Sequence, residues 1–239
     1  MFFMKDKKRT IVVLLTTSCF VGIIFTLTLL INWNKNVKTN IQIQQKIANN
    51  IEINEQKHDI NFDKLRNINE DTVGYLEVPN TNINYVVVKG KNNSYYLNHN
   101  FNKEKNVAGW IFMDYKNKAD GTDKNIVIYG HDTADESMFG SLSKLLEKKN
   151  LEDKNNLIIS FITNRDIKKY QMFSIYTIEP EEYYIKTIFK EKEFDKFKEK
   201  LRNRSIYKLD ANLKNKNIIT LSTCQNYGIK RLAVHAVEI

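Results

Sequence analysis

Two apolar segments near the C-terminus constrain the fold of this 239-residue chain more than any other feature. Residues Asn217–Cys224 (NIITLSTC) are rich in β-branched and apolar side chains. Residues Lys230–Ile239 (KRLAVHAVEI) alternate in the manner of a β-strand. The link between them contains Asn226 and Gly228, which favour a turn. We therefore predict that the two segments form an antiparallel hairpin.

The register of this hairpin predicts what each of its faces contacts. If Cys224 lies opposite Arg231, the antiparallel ladder also places Ser222 opposite Ala233. One face then belongs to the core and consists of Ile219, Leu221, Thr223, Leu232, Val234 and Ala236. Ser222, Cys224 and Arg231 share the other face, where we expect a groove with a thiol beside a guanidinium.

The N-terminus carries the pattern of a membrane anchor. Residues 1–9 contain four basic side chains, and residues 10–31 form an uncharged apolar run that is long enough to span a bilayer. A signal peptide would have a shorter apolar core and a cleavage site with small residues, so an uncleaved anchor is favoured. The basic flank predicts a single-pass protein of the cell membrane with a cytoplasmic N-terminus and an extracellular remainder.

The remaining residues divide into a helical and a β-rich part. Residues 32–70 are polar with apolar side chains at helical spacing, which predicts a helical membrane-proximal segment. From residue 71 to 239 the pattern has a period of two, and about eight short strands with small inserted helices can be recognised. We predict a mostly β fold, an eight-stranded barrel with N-terminal helices and short inserted helices. The regular βα alternation of a doubly wound sheet is missing.

Composition narrows the possible partners. The formal net charge is +9, and a basic surface outside the cell suits anionic lipid or wall polymer, although it can equally serve solubility alone. We expect no nucleic acid among the partners, because the sequence has no zinc-finger spacing, RNP-like motif or basic heptad region.

The two cysteines indicate a reactive thiol. Cys19 lies within the apolar run, so Cys224 is the only cysteine of the exported part and cannot form an internal disulfide. A lone exported cysteine is a candidate nucleophile, and the alternatives are an intermolecular bridge or an inert buried side chain. A thiol with a pKa of about 8.5 needs a base nearby to react at neutral pH.

Four histidines could supply this base, namely His58, His99, His131 and His235. In the predicted register His235 lies about 13 Å along the strand from Cys224, which is too far for proton transfer. His131 follows a predicted strand, and Gly130 permits a sharp turn there. We take His131 as the candidate acid/base, and Arg231 as a candidate donor to the oxyanion of a tetrahedral intermediate. For each of these residues an incidental surface or core position is the alternative.

Several segments resemble the signature segments of sortases, and most closely those of class B, the membrane-anchored cysteine transpeptidases of Gram-positive bacteria. They are Thr220–Cys224 (TLSTC), Tyr129–His131 (YGH), Met138–Leu142 (MFGSL), Lys230–Ala236 (KRLAVHA) and Ala108–Asn117 (AGWIFMDYKN). The resemblance covers roughly residues 60–239 and includes a helix near residues 189–207. It departs from some class B members in the short link between Cys224 and Arg231, and in Gln225, where an acidic residue often follows the cysteine.

The resemblance implies a role for each candidate residue. Cys224 is expected to form the acyl-enzyme, His131 to act as acid/base and Arg231 to stabilise the oxyanion. The residues expected to line the groove for the substrate are Ser222, Asn93, Leu97, Tyr183, Tyr184 and Ile185. No metal or other cofactor is implied.

The resemblance also implies a reaction and its substrates. The enzyme is expected to cleave the sorting-signal peptides of secreted surface proteins, LPxTG-like or NPxTN-like, after their threonine. An amine of a lipid-linked peptidoglycan precursor then resolves the thioester, which anchors the surface protein to the cell wall. Two alternatives remain open: a cysteine peptidase that passes the acyl group to water, and a catalytically silent, membrane-tethered peptide-binding module.

Overall fold

The computed structural model describes residues 2–50, 60–153, 157–190, 192–224 and 230–239, and it describes side chains in these ranges except at residues 2–8, 50 and 224. The chain forms two compact units, Met1–Thr39 and Asn40–Ile239.

The first unit is helical throughout its described residues and forms most of α1 (Phe2–Asn50). Within the described part of the chain, α1 is the one helix that is long and apolar enough to cross a membrane, by the criteria of length and composition. The apolar side chains of residues 11–31 are exposed to the surroundings. This apolar helix coincides with the run from which the sequence predicts a membrane anchor.

The second unit contains a closed barrel. Its eight described strands lie in the order β1-β2-β3-β4-β7-β8-β6-β5. They are β1 (Thr72–Glu77), β2 (Asn84–Val88), β3 (Phe112–Met113), β4 (Asn125–His131), β5 (Ile158–Ile162), β6 (Ile167–Ile178), β7 (Ile218–Cys224) and β8 (Arg231–Glu238). The pairs β2–β3 and β4–β7 are parallel, and the other pairs are antiparallel. The predicted eight-stranded barrel is therefore confirmed.

Short helices are inserted between the strands. The α-helices of the second unit are the end of α1, α2 (Phe62–Ile68) and α3 (Glu193–Arg202). Short 3-10 helices occur at Tyr95–Leu97, Gly140–Leu146, Lys148–Leu151 and Tyr183–Ile185. The apolar spacing of Phe139, Leu142, Leu145 and Leu146 favours an amphipathic helix over residues 137–149. The segment Gly140–Leu146 within it is a 3-10 helix rather than an α-helix, with i to i+3 hydrogen bonds such as that from the Leu142 amide to the Phe139 carbonyl.

Two apolar clusters lie on opposite faces of β7 and β8. The main core contains Ile219, Leu221, Leu232, Val234 and Ala236, as the alternation predicts. A second cluster covers much of the other face and consists of Phe173, Tyr176, Ile178, Tyr184, Phe194, Phe197, Leu201, Leu213, Ile218, Ala233 and Val237. The apolar face of α3, with Phe194, Phe197 and Leu201 at helical spacing, supplies part of this cover. The groove predicted for this face is therefore limited to the ends of the strands.

One predicted strand is much shorter than expected. The apolar residues of the segment 108–114 (AGWIFMD) favour a strand over its whole length, but only Phe112 and Met113 pair as β3. Gly109 has a φ of 59°, which an extended strand cannot accommodate, and the Trp110 amide donates to the Tyr96 carbonyl instead of to a neighbouring strand. Residues before Phe112 consequently form a turn that packs against the loop containing Tyr96.

Candidate active site

The end of the parallel pair β4–β7 brings the two main candidate residues into register. The pairing begins at Asn125 and Ile218 and continues without interruption to His131 and Cys224. Neighbouring strands lie about 4.8 Å apart, so the backbones of His131 and Cys224 are adjacent although 93 positions separate them in the sequence. His131 is the last residue of β4 rather than the first residue of the following loop.

The antiparallel pair β7–β8 has the predicted register and ends just before Cys224. Ser222 pairs with Ala233, and Thr220 with His235, as expected. Beyond this point the Leu232 amide donates to the hydroxyl of Thr223 at 2.9 Å instead of to a strand carbonyl. The side chain of Cys224 and residues 225–229 lie outside the described part of the chain, so the proximity of thiol and guanidinium stays a prediction.

Arg231 begins β8 at the same end of the barrel. Its Cα partner on the other side of β8 is Ile178, the last residue of β6. The side chain of Arg231 is partly exposed. The structure thus brings the backbones of all three predicted catalytic residues to one end of the barrel, on strands that are neighbours in the order β4-β7-β8.

The ring of His131 is oriented by a backbone carbonyl. Its Nε2 lies 2.7 Å from the carbonyl oxygen of Leu97. Because a carbonyl oxygen can only accept, Nε2 carries a proton and Nδ1 has a free lone pair in the neutral ring. Nδ1 is buried and has no hydrogen-bond partner among the described residues. Leu97, predicted as a substrate contact, therefore also acts on His131 through its main chain.

A glycine permits this contact. A Cβ atom on Gly109 would lie 2.5 Å from the Tyr96 carbonyl oxygen, 2.9 Å from that of Leu97 and 3.0 Å from Cδ2 of His131. Two of these neighbours are backbone atoms that cannot move away as a side chain end can. Together with its positive φ, this close approach requires glycine at position 109. In the sequence, Gly109 stands out only as part of the family-like segment Ala108–Asn117, and nothing there indicates its contact with His131.

Phe139 holds the backbone at Gly130 and His131 in place through its amide and its ring. The Phe139 amide donates to the His131 carbonyl at 2.9 Å. The Phe139 ring packs directly on Gly130, where a Cβ atom would lie 2.7 Å from the ring. Gly130 therefore leaves room for the Phe139 ring, and the neighbouring His131 is held at the end of β4 by the Phe139 amide.

Asn93, another predicted substrate contact, belongs to a polar network beside β4. Its side-chain amide donates to Asp114 Oδ2 at 2.8 Å, and its Oδ1 accepts from the Tyr115 amide at 3.0 Å. The hydroxyl of Tyr129, two residues before His131, donates to the same Asp114 oxygen at 2.8 Å. Asp114 is buried and was not identified from the sequence, although a carboxylate in the family-like segment AGWIFMDYKN could have drawn attention to it.

Ser222 and Tyr184 contact each other rather than an exposed groove. Both are fully buried, and their hydroxyl oxygens are 2.9 Å apart. The expectation that the side chain of Ser222 faces the groove is corrected here, because the second apolar cluster covers this row of the strands. The hydrogen bond between them joins the segment around Tyr184 to β7 at Ser222, two residues before Cys224. Contact of these two residues with substrate stays a prediction.

Tyr183 and Ile185, which are also predicted to line the substrate groove, are half-buried. The Tyr183 ring lies under two cations, with Lys200 Nζ at 4.2 Å and the Arg204 guanidinium carbon at 4.5 Å from its centroid. Ile185 packs at the border of both apolar clusters. Their contact with substrate also stays a prediction.

His235 is unsuited to proton transfer. It is fully buried, its Nδ1 lies 2.9 Å from the Thr220 hydroxyl and its Nε2 lies 3.0 Å from that of Tyr176. Burial lowers its pKa from the ordinary value of 6.5 to about 3, so the ring is uncharged at neutral pH.

Within the described ranges, no group of three or more His, Cys, Asp or Glu side chains is arranged to hold a metal ion.

Comparison with known proteins identifies the family. The sequence model of the Sortase domain matches residues 76–239. Sortase B of Listeria monocytogenes is 39% identical over 163 residues, which cover 67% of this chain and 65% of that protein, slightly less than two thirds of its length. Sortase B of Staphylococcus aureus is 32% identical over 218 residues, which cover 86% of this chain and 88% of that protein.

Solved structures agree with the sequence comparison. The fold matches Bacillus anthracis sortase B in complex with AAEK1 with a TM-score of 0.76 at 33% identity, covering 86% of this chain and 98% of that one. It matches the Staphylococcus aureus sortase B–substrate complex with a TM-score of 0.77 at 30% identity, covering 87% and 98%. The chain therefore belongs to the sortase family, and the relatives that it matches here are sortase B proteins.

Proposed function

We propose that this chain cleaves a C-terminal sorting signal, LPxTG-like or NPxTN-like, after its threonine and transfers the acyl group to an amine of a lipid-linked peptidoglycan precursor. Surface proteins are thereby anchored to the cell wall. The observation that carries the proposal is the parallel register that pairs His131 with Cys224 at the ends of β4 and β7. Membership of the sortase family, with a relative solved as a substrate complex, supports binding of a signal peptide.

The first half of the reaction forms a thioester. The Cys224 thiolate attacks the threonine carbonyl, the carbonyl π electrons move to oxygen, and a tetrahedral oxyanion results. The oxyanion collapses, the peptide C–N bond breaks, and protonated His131 gives its proton to the leaving amine. The Nε2 bond to the Leu97 carbonyl supports Nδ1 as the nitrogen that carries this proton, because Nδ1 is the one with no other partner among the described residues.

The second half releases the product. The acceptor amine attacks the thioester carbonyl and loses a proton to neutral His131, and the C–S bond breaks to regenerate the Cys224 thiolate. Arg231 donates to the oxyanion in both halves, and its fixed positive charge suits this task. The position of Arg231 supports this role, because its partly exposed side chain starts from the end of the barrel at which His131 and Cys224 are paired.

The proposal places the barrel outside the cell. Residues 10–31 span the membrane once, residues 1–9 lie in the cytoplasm, residues 32–70 form the helical membrane-proximal segment, and residues 71–239 form the catalytic domain. The apolar stretch of α1 and the basic residues before it support this topology.

The test is a ligation assay with the full chain in detergent. Labelled LPxTG-like and NPxTN-like peptides are incubated with and without triglycine as acceptor, and the products are identified by mass spectrometry. We expect a ligated product that depends on the acceptor and is lost in Cys224→Ala. His131→Ala should lower the rate about 10²- to 10⁴-fold and Arg231→Lys about 10²- to 10³-fold.

Each alternative predicts a different result in this assay. A peptidase releases hydrolysed peptide at the same rate whether or not triglycine is present, and forms no ligated product. A silent binding module binds the peptide equally well as wild type and as Cys224→Ala and forms no product in either case.

A further inference from the structure

A buried asparagine of α1 lies behind the candidate active site. Asn40 is only 1% exposed, although asparagine is usually found at the surface. A buried amide must satisfy its donors and acceptors within the protein. Asn40 belongs to the same compact unit as the barrel, Asn40–Ile239, and its partners lie within that unit.

The amide of Asn40 holds one turn of the barrel domain from two sides. Its Nδ2 donates to the Gly109 carbonyl at 2.9 Å, and its Oδ1 accepts from Asn106 Nδ2 at 2.9 Å. Asn106 in turn accepts at Oδ1 from the Ala108 amide at 2.9 Å, and its carbonyl accepts from the Gly109 amide at 3.0 Å. The conformation of residues 106–109 therefore depends on a side chain that lies more than sixty positions earlier.

This turn contacts the histidine and its hydrogen-bond partner. Gly109 is packed so closely against the Leu97 carbonyl and the His131 ring that an added Cβ would approach them to 2.9 and 3.0 Å. The same Leu97 carbonyl accepts from His131 Nε2. A shift of Gly109 by a few tenths of an ångström would be transmitted to both atoms of this bond, because protein interiors are close-packed.

We propose that Asn40 is a positioning residue for the transpeptidase reaction: through the Gly109 turn it sets the place of the Leu97 carbonyl and hence the orientation of the His131 ring. The inference rests on the acid/base role proposed for His131. It extends the functional residues of the chain into the membrane-proximal helix, to a side chain that touches neither substrate nor the reacting atoms.

The test compares two matched substitutions on α1. Asn40→Asp keeps the acceptor for Asn106 but replaces the donor that faces the Gly109 carbonyl with an acceptor. Gln44→Glu makes the same chemical change one turn later, where Gln44 Nε2 donates to the Asn84 carbonyl at the start of β2. Asn40→Ala removes the amide without adding a buried charge, which covers the case in which Asn40→Asp does not fold.

Ligation kinetics and nitrogen NMR of the full chain with ¹⁵N-labelled histidine are the two measurements. We expect Asn40→Asp and Asn40→Ala to lower kcat about tenfold with little change in KM, because the group that moves is catalytic and not substrate-binding. The ring resonances of His131 should shift, whereas those of His235 should not. Gln44→Glu should leave kcat and the His131 resonances as in wild type.

Two results would overturn the inference. One is that both Asn40 variants match Gln44→Glu in kcat and in the His131 resonances. The other is a loss of kcat in all three variants in proportion to their loss of melting temperature, with His131 unshifted. Failure of the proposed function is recognised separately, since the wild-type chain would then form no ligated product, whereas failure of the acid/base role alone would leave His131→Ala as active as wild type. In both cases the His131 resonances of the Asn40 variants still decide whether Asn40 positions the ring.

Discussion

The two ring nitrogens of His131 have different surroundings, and this difference decides what the residue can do. Nε2 is occupied by the Leu97 carbonyl, while Nδ1 is buried with no partner among the described residues. A histidine held in this way has a defined tautomer and presents a single nitrogen for proton transfer. The residue that makes this possible is Gly109, which allows the carbonyl and the ring to approach each other.

We predict that Gly109→Ala lowers ligation activity about 10²-fold, because the new methyl group must displace the Leu97 carbonyl or the His131 ring. Gly121→Ala is the matched control. Its φ of 66° imposes a similar backbone penalty, but its added Cβ would meet only side-chain atoms at 3.4 Å or more, away from the site. Equal activity losses in the two variants at equal melting temperature would contradict the prediction.

Motif residues could be identified from the sequence, but their partners could not. Cys224, His131 and Arg231 have side chains whose chemistry is visible in the letters. The partner of His131 is the main-chain carbonyl of Leu97, a group that every residue possesses, so no letter marks it. The roles of Gly109 and Asn40 depend in the same way on which atoms folding brings within 3 Å.

A buried chain of hydrogen bonds connects strands β4, β6, β7 and β8. Asn125 Nδ2 donates to the Lys186 carbonyl, and Asn125 Oδ1 accepts from the Thr220 hydroxyl. Since Thr220 uses its proton there, its oxygen accepts from His235 Nδ1, and His235 Nε2 accepts from the Tyr176 hydroxyl. This chain requires His235 to be neutral, in agreement with its lowered pKa.

The neutral His235 predicts a specific loss of stability in acid. The folded state binds this proton only near pH 3, whereas the unfolded state binds it below about pH 6.5, so stability is fully present above pH 6.5 and is lost as the pH falls from there towards 3. Between pH 7 and pH 5 the free energy of unfolding should fall by about 2 kcal/mol through this residue. Urea titrations of wild type and His235→Gln measure it: the variant should lack this part of the pH dependence, and parallel curves would contradict the assignment.

The element boundaries show where local patterns are sufficient. The strands β7 and β8 and their register agree with the sequence, because a period of two fixes which side chains share a face. The segment 108–114 does not form the long strand that its apolar residues indicate, because Gly109 and the contacts of Trp110 with Tyr96 bend it away. Apolar composition alone does not report such a turn.

The whole molecule combines an apolar N-terminal helix with a barrel, and the candidate site lies at the ends of three strands of this barrel. We predict that protease added to intact protoplasts removes the barrel and leaves an epitope at residue 1 protected, as expected for a cytoplasmic N-terminus. Protection of the barrel and loss of the epitope would reverse the proposed orientation.

Ile24→Arg combined with Leu27→Arg should release part of the chain from the membrane fraction, because each charge costs about 2.5 to 3.5 kcal/mol at the centre of a span.

The sequence by itself determined the apolar helix, the strand character of most segments and the chemical identity of the candidate thiol, imidazole and guanidinium. These follow from local periodicity and side-chain type, which each stretch of chain carries with it. Only the tertiary structure decided that β4 pairs in parallel with β7, that the Leu97 carbonyl and Gly109 lie against His131, and that Asn40 bonds to the Gly109 carbonyl. Closing the barrel joins segments that are about ninety residues apart, and the energy that selects these pairings comes from the packing of the whole core rather than from any local pattern.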